Sequence, residues 1–284
     1  MFVPRKILEE KLLRLLADDV GEGDVTAAAV IQPNLAVNAV VIAKENGVAA
    51  GIEEATILAE SLGLKVKAKA ADGENIQNKQ VLMELSGDAQ TILSVERTLL
   101  NLLSRMSGIA TNTRRLTEKL RQSGAKARIA ATRKSAPGLL YFDKKAVTIG
   151  GGDPHRLHLD DMILIKDNHL AIVGGVEAAI KKAKVNSSFS KKIEVEVTKA
   201  EDAVEAAKAG ADIVMLDNFS PKHAKEASEA LRKAGFGNVL LEVSGGVTDE
   251  TLLEYAASQV DIISMGELTH SVKALDISLE IRKD

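Results

Sequence analysis

The chain contains no cysteine, which excludes disulfides, thiolate metal sites and cysteine nucleophiles. Aromatic residues are scarce, at 2 % of the sequence, too few for a platform that stacks the bases of a single strand. Neither charge sign dominates: the formal net charge is -3, so there is no bulk basic field of the kind that holds nucleic acid. Long apolar runs are missing as well. The opening Met-Phe-Val-Pro-Arg-Lys has no signal-peptide core, and no later stretch is long enough for a transmembrane helix. These absences predict a cytoplasmic chain that binds neither nucleic acid nor membrane. No His-Glu-x-x-His spacing and no nucleophile elbow occurs, so zinc hydrolysis and acyl-enzyme chemistry lack support.

What is present is ordinary for a globular protein: 284 residues, 45 % hydrophobic and 27 % charged, enough for two domains with substantial cores. Apolar periodicity predicts helices over 6–17 and 52–62, and strands over 37–43, 65–70 and 80–86. Residues 18–26 read as an acidic loop and 71–74 as a hairpin turn. Asp88 is placed to N-cap a helix over 89–105, with a second helical stretch to 121. Beyond Lys126 the pattern changes to short apolar runs alternating with helices. Strands are expected at 128–131, 146–148, 162–165, 193–197, 213–216, 239–243 and 262–264, with helices over 175–184, 200–209, 221–234 and 249–257. Gly210 and Gly235 fall where helix C-termini end. Strands alternating with helices imply a parallel sheet, and that many strands favour a closed or nearly closed barrel.

A parallel barrel gathers its chemistry at the C-terminal ends of its strands. Here the first barrel strand runs into Thr132-Arg133-Lys134-Ser135, and the run ending at Ile165 meets Lys166-Asp167-Asn168-His169. The strand over 193–197 carries Glu194 and Glu196 on one face, by its period of two. Later runs meet Asp217-Asn218, Ser244-Gly245-Gly246 and Met265-Gly266-Glu267. A single charged residue after a strand is usually the solvated start of a loop. Six such endings, spaced by strand–helix units, point to a binding site.

The loop Gly150-Gly151-Gly152-Asp153-Pro154-His155-Arg156 allows close backbone approach and then supplies donors. Arginine grips carboxylates bidentately and lysine acts as a compact charge. From Thr132 to His169 there are six Lys or Arg against five Asp, so placement makes the case, and bulk charge does not. Ser244-Gly245-Gly246 offers amides to a phosphate. Glu196 and Asp217, at successive strand ends, suit a hard cation such as Mg²⁺ better than His155 and His158 suit a transition metal. Arg97, taken alone, reads as a solvated helical arginine.

The ordered set Thr-Arg-Lys-Ser-Ala-Pro-Gly at 132–138, Lys-Ala-Val at 145–147, Gly-Gly-Gly-x-x-His-Arg at 150–156 and Leu-Ile-Lys-Asp-Asn-His at 164–169 closely resembles the quinolinate phosphoribosyltransferase family. Further matches at 21–26, 96–101, 107–111, 194–197, 216–218, 244–246 and 268–271 extend the resemblance over almost the whole chain. Ser135 stands where threonine is common, which keeps the hydroxyl. Leu140 stands where arginine is common, which removes a cation.

The resemblance implies an N-terminal open α/β sandwich over 1–110, with 272–284 packing back toward it, and an incomplete TIM-like α/β barrel over 111–271. It implies conversion of quinolinate and phosphoribosyl pyrophosphate to nicotinate mononucleotide, pyrophosphate and CO₂, with Mg²⁺. It further implies a homo-oligomer, either a dimer with shared active sites or a hexamer built from such dimers. Quinolinate would meet Arg133, His155, Arg156 and Lys166, with Arg97 arriving from a partner subunit. Lys134, Glu196, Asp217, Ser244, Gly245, Gly246 and Gly266 would hold phosphoribosyl pyrophosphate, with the metal on Glu196 and Asp217 directly or through water. In catalysis, Glu196 and Asp217 would stabilise an oxocarbenium-like ribose and Lys134 the departing pyrophosphate.

Rivals are a same-fold enzyme acting on nicotinate, the molybdenum-utilisation paralogue, and a non-catalytic barrel that binds phosphometabolites. A Schiff-base aldolase would need a lysine in an apolar pocket, and Lys166 beside Asp167 is a poor candidate.

Overall fold

The computed structural model describes residues 3–282 and divides into two compact units. In chain order the first elements are α1 (Arg5–Val20), α2 (Val25–Val30), β1 (Ala36–Ala43), β2 (Gly47–Val48), α3 (Ile52–Ser61), β3 (Lys65–Ala68), β4 (Asn75–Ile76), β5 (Val81–Asp88) and α4 (Ala89–Gln122). There follow β6 (Arg128–Ala131), α5 (Leu140–Ile149), β7 (Ile163–Ile165), α6 (Asp167–Val173), α7 (Val176–Asn186), β8 (Ile193–Val197) and α8 (Ala200–Ala209). The chain continues with β9 (Ile213–Asp217), α9 (Pro221–Lys233), β10 (Leu240–Ser244), α10 (Leu252–Ala257), β11 (Ile262–Met265), α11 (Glu267–His270) and β12 (Ile277–Arg282). None of the helices among the described residues is long and apolar enough to cross a membrane.

One unit comprises Met1–Arg114, Tyr141–Gly151 and Val272–Asp284. Its main sheet is antiparallel in the order β12-β1-β5-β3. The loop expected over 18–26 ends earlier than anticipated, because Asp24 caps α2 by accepting the Ala27 N–H at 2.8 Å. The expected turn at 71–74 lies in a longer connection that carries β4, which pairs with β2 rather than with β3. Asp88 does cap α4: its Oδ2 accepts the Thr91 N–H at 2.9 Å. That helix is one uninterrupted element of 34 residues, not two.

Glycine inside such a helix costs about 1 kcal/mol against alanine, so Gly108 needs a steric reason. A Cβ there would meet the Lys273 carbonyl oxygen at 2.1 Å and Ala274 Cα at 3.0 Å. The returning C-terminal segment therefore crosses α4 where no side chain fits. Gly108→Ala is expected to lower the thermal midpoint, equivalent to about 1–3 kcal/mol of overpacking strain, although it improves helix propensity. Calorimetry of the variant checks this.

The other unit, Arg115–Leu140 and Gly152–Ser271, holds a parallel sheet in the order β6-β11-β10-β9-β8-β7. Every neighbouring pair is parallel, as an α/β barrel requires. The barrel is incomplete: β6 and β7 are not paired with each other, and an isolated bridge from Ala130 to Asp153 stands at the gap. The strand expected at 146–148 is not there. Those residues lie in α5, whose Phe142, Ala146 and Val147 are buried at helical spacing. A three-residue apolar run has no periodicity of its own, so it fits either element.

Candidate active site

The strand ends of the barrel unit carry most of the residues picked out from the sequence. Lys166 immediately follows β7, and its Nζ lies 2.5 Å from Glu196 Oε2 on β8. Its backbone N–H donates to His169 Nδ1 at 3.0 Å, which secures the start of α6. Asp217 closes β9 opposite Ser244, the last residue of β10. Asn218 folds over this pair: its amide donates to Asp217 Oδ2 at 2.8 Å and its N–H to the Ser244 carbonyl at 2.9 Å. Gly245 must be glycine here. Its φ is +89°, and a Cβ would meet Asn218 Oδ1 at 2.3 Å. Gly246 follows with φ +64°, so two consecutive residues turn in the left-handed region, which glycine adopts without strain.

Lys134 and Gly266 also come together. A Cβ on Gly266 would lie 3.4 Å from Lys134 Cδ, and the Lys134 carbonyl accepts from Thr269 Oγ1 at 2.7 Å. Arg133 is exposed, and Arg156 is half-buried. Burial disfavours the Arg156 cation, and the nearby Arg133 charge disfavours it further, against Glu194 and Asp161. Two guanidiniums within electrostatic reach of each other are a pair whose repulsion a bound anion would relieve. Arg97 lies exposed on α4, in the first unit.

His155 sits in the glycine-rich loop with φ +52°, a conformation few non-glycine residues adopt. Asp153 stabilises it, since its Oδ1 accepts the His155 N–H at 2.7 Å. The ring reaches inward: Nε2 lies 3.1 Å from Glu242 Oε2 and 3.4 Å from Glu194 Oε2. Both glutamates are 0 % exposed. Burial alone would lower the imidazole's pKa, but the hydrogen bonds and negative charges of the two carboxylates outweigh it and push it up to about 10.

The stabilisation from that added proton is fully present below the ordinary value of 6.5 and is lost as pH rises through about 10. The difference in thermal midpoint between the wild type and His155→Gln should therefore shrink from pH 7 to pH 10.

A cavity of about 760 Å³ reaches His155 and Arg156 from the side of the strand starts, past Arg128, Lys192, Leu240 and Asp261. Lys134, Asp217 and Ser244 do not line it. Glu194 and Glu196 share a strand face, as the period of two requires, yet they serve different cations, His155 and Lys166. His155 and His158 fall in separate clusters, the latter with Asp160 and Asp161.

Glu242 went unnoticed in the sequence. The signal was there: a carboxylate inside the apolar run Leu240-Leu241-Glu242-Val243, two residues before Ser244 and so on its face. Among the described residues, no cluster of three potential metal-binding groups includes Glu196 or Asp217. Both offer carboxylate oxygens, the donor type that a hard cation such as magnesium takes together with waters and substrate phosphates.

Two family models match consecutive parts of the chain: the N-terminal domain of quinolinate phosphoribosyl transferase over residues 24–107, and its C-terminal domain over residues 109–280. A probable nicotinate-nucleotide pyrophosphorylase [carboxylating] of Methanothermobacter thermautotrophicus is 46 % identical, covering 94 % of this chain and 96 % of that relative. The nicotinate-nucleotide pyrophosphorylase [carboxylating] of Homo sapiens is 38 % identical, with coverage of 84 % and 80 %. Among solved structures, that of the nicotinate-nucleotide pyrophosphorylase from Francisella tularensis superposes with a TM-score of 0.88 at 35 % identity, covering 99 % of this chain and 98 % of that one.

Proposed function

The chain belongs to the quinolinate phosphoribosyltransferase family, and from that premise we propose that it transfers phosphoribosyl from phosphoribosyl pyrophosphate to quinolinate with decarboxylation, as a step of NAD biosynthesis. The observation that carries this reading is a set of cations on the barrel unit: Arg133 within electrostatic reach of Arg156, His155 beside it in the glycine-rich loop, and Lys166 at the end of β7. Quinolinate is a dianion, and two guanidiniums with an imidazolium and an ammonium match two carboxylates in charge and in hydrogen-bond geometry.

On this reading Arg133, Arg156 and His155 bind and orient the pyridine dicarboxylate. Lys166 stands ready in its ion pair with Glu196 and turns part of its charge to the substrate. Ser244, Gly245 and Gly246 receive phosphate oxygens with backbone N–H groups. Lys134, beside Gly266, neutralises the pyrophosphate as it departs. Glu196 and Asp217 stabilise the electron-deficient ribose carbon electrostatically. Magnesium would sit with these two carboxylates and substrate oxygens, where it supplies charge neutralisation for the leaving pyrophosphate. Loss of CO₂ breaks the bond from ring C2 to its carboxylate, which needs either that carboxylate moved away from its cation partners or the electron pair left on C2 stabilised by the adjacent pyridinium nitrogen, and a proton from water then takes the place of the carboxylate.

We further propose a cytoplasmic homo-oligomer, a dimer or a hexamer of dimers, in which Arg97 of one copy completes the quinolinate site of another. The exposure of Arg97 on α4 supports this. Incubation of the pure protein with quinolinate, phosphoribosyl pyrophosphate and Mg²⁺, with CO₂ and nicotinate mononucleotide followed together, tests the reaction. Equal release of both products is expected. Their absence under conditions where the protein is folded would refute the assignment.

A further inference from the structure

The roles assigned above make no use of Glu242, yet the sheet buries it completely. It lies on β10 between Met215 of β9 and Ile262 of β11 in the sheet register, 0 % exposed. Glu194 is equally buried. Among the described residues Glu242 Oε1 and Glu194 Oε1 have no hydrogen-bond partner, and Glu194 Oε2 has only the long 3.4 Å approach of the His155 ring. Buried carboxylates are among the most unfavourable groups a core can hold unless a cation faces them. Here the group facing both is the His155 ring, 3.1 Å from Glu242 and 3.4 Å from Glu194.

Resting on the reading that His155 meets a quinolinate carboxylate, we propose that Glu242, backed by Glu194, is a positioning residue that fixes the His155 ring with Nε2–H turned inward and Nδ1–H presented to the substrate. A carboxylate only accepts, so Glu242 holds a proton on Nε2. In a neutral ring Nδ1 would then carry a lone pair, which repels a substrate carboxylate. Only the doubly protonated ring donates in both directions, and two buried carboxylates favour that form.

The backbone fixes the ring from its other end. The φ of +52° is held by Asp153, whose Oδ1 accepts the His155 N–H and whose backbone bridges to β6. With the main chain and Nε2 both fixed, Nδ1 is the ring nitrogen left for a ligand. The same three side chains lie close enough together to surround a metal ion, but a direct contact of 3.1 Å is hydrogen-bond length and a proton suffices for it.

The test uses the full-length chain carrying Glu242→Gln, and separately Glu194→Gln. Steady-state kinetics for each substrate, ¹⁵N spectra of the histidine ring and elemental analysis are the readouts. Glu242→Gln is expected to raise the quinolinate KM about tenfold or more, with the phosphoribosyl pyrophosphate KM essentially unchanged. Glu194→Gln, acting at the longer distance, should have the same effect at smaller size. At pH 8 the wild-type His155 ring should carry protons on both nitrogens, and the Glu242→Gln ring on one.

An unchanged quinolinate KM in both variants would overturn the proposal. So would an equal rise in both KM values, which marks general damage, or one equivalent of a metal ion in the wild type that is lost in Glu242→Gln. Should the wild type itself fail to turn over quinolinate, the functional reading falls, and the ring spectra still decide whether Glu242 sets the protonation of His155.

Discussion

Arg156→Ala is expected to raise the quinolinate KM roughly a hundredfold, equivalent to about 3 kcal/mol of lost charged hydrogen bonding, with no loss of thermal stability. The asymmetry follows from the position of the side chain. In the free protein, burial and the neighbouring Arg133 both disfavour the Arg156 cation, so folding gains little from it. The benefit appears only when an anion arrives and turns a repulsive pair into a clamp. Arg156→Lys keeps the charge and loses the bidentate fork, so its KM should fall between the two. Substrate-resolved kinetics beside calorimetry check both halves. A large drop in midpoint with a small change in KM would mean that Arg156 is structural.

The second large effect concerns subunit sharing. Arg97→Ala and Lys166→Ala proteins are each expected to be nearly inactive, and a mixture of the two should regain about a quarter of wild-type activity. Random exchange makes half of the dimers mixed, and each mixed dimer then carries one site with both residues intact. Labelled subunits show whether exchange has occurred, and turnover is read on the same sample. If mixed dimers form and stay inactive, Arg97 does not act across an interface.

Much of the barrel was legible in the sequence because its strands are short apolar runs that stop at a charged or small polar residue. Ile163–Ile165 before Lys166 and Ile213–Leu216 before Asp217 are of this kind, and Gly210 and Gly235 do end helices at positive φ. The run 146–148 misled because its apolar neighbours, Phe142 among them, lie four residues away along a helix face, beyond the reach of so short a window. The presence of Gly108 inside the continuous α4 is accounted for only by the crossing segment at Lys273 and Ala274, which the local sequence does not reveal.

In the site, Arg133, His155, Arg156 and Lys166 could be singled out because their cations interrupt the pattern at strand ends and in a glycine-rich loop. Glu242 shows in the sequence only as a charge inside an apolar strand, a signal that has no evident use until its partner is known. That partner, His155, lies 87 positions away, and no local spacing rule links the two. Sequence order likewise gave no hint that Glu194 and Glu196, two residues apart, would serve different cations.

On the proposed function these cations serve two carboxylates rather than one. The most direct measurement is kcat/KM for quinolinate against nicotinate on the same wild-type preparation, with phosphoribosyl pyrophosphate saturating. The arrangement predicts efficient turnover of quinolinate with stoichiometric CO₂ and little or none of nicotinate, because a monocarboxylate leaves part of the cluster unpaired. Comparable or faster turnover of nicotinate would contradict it.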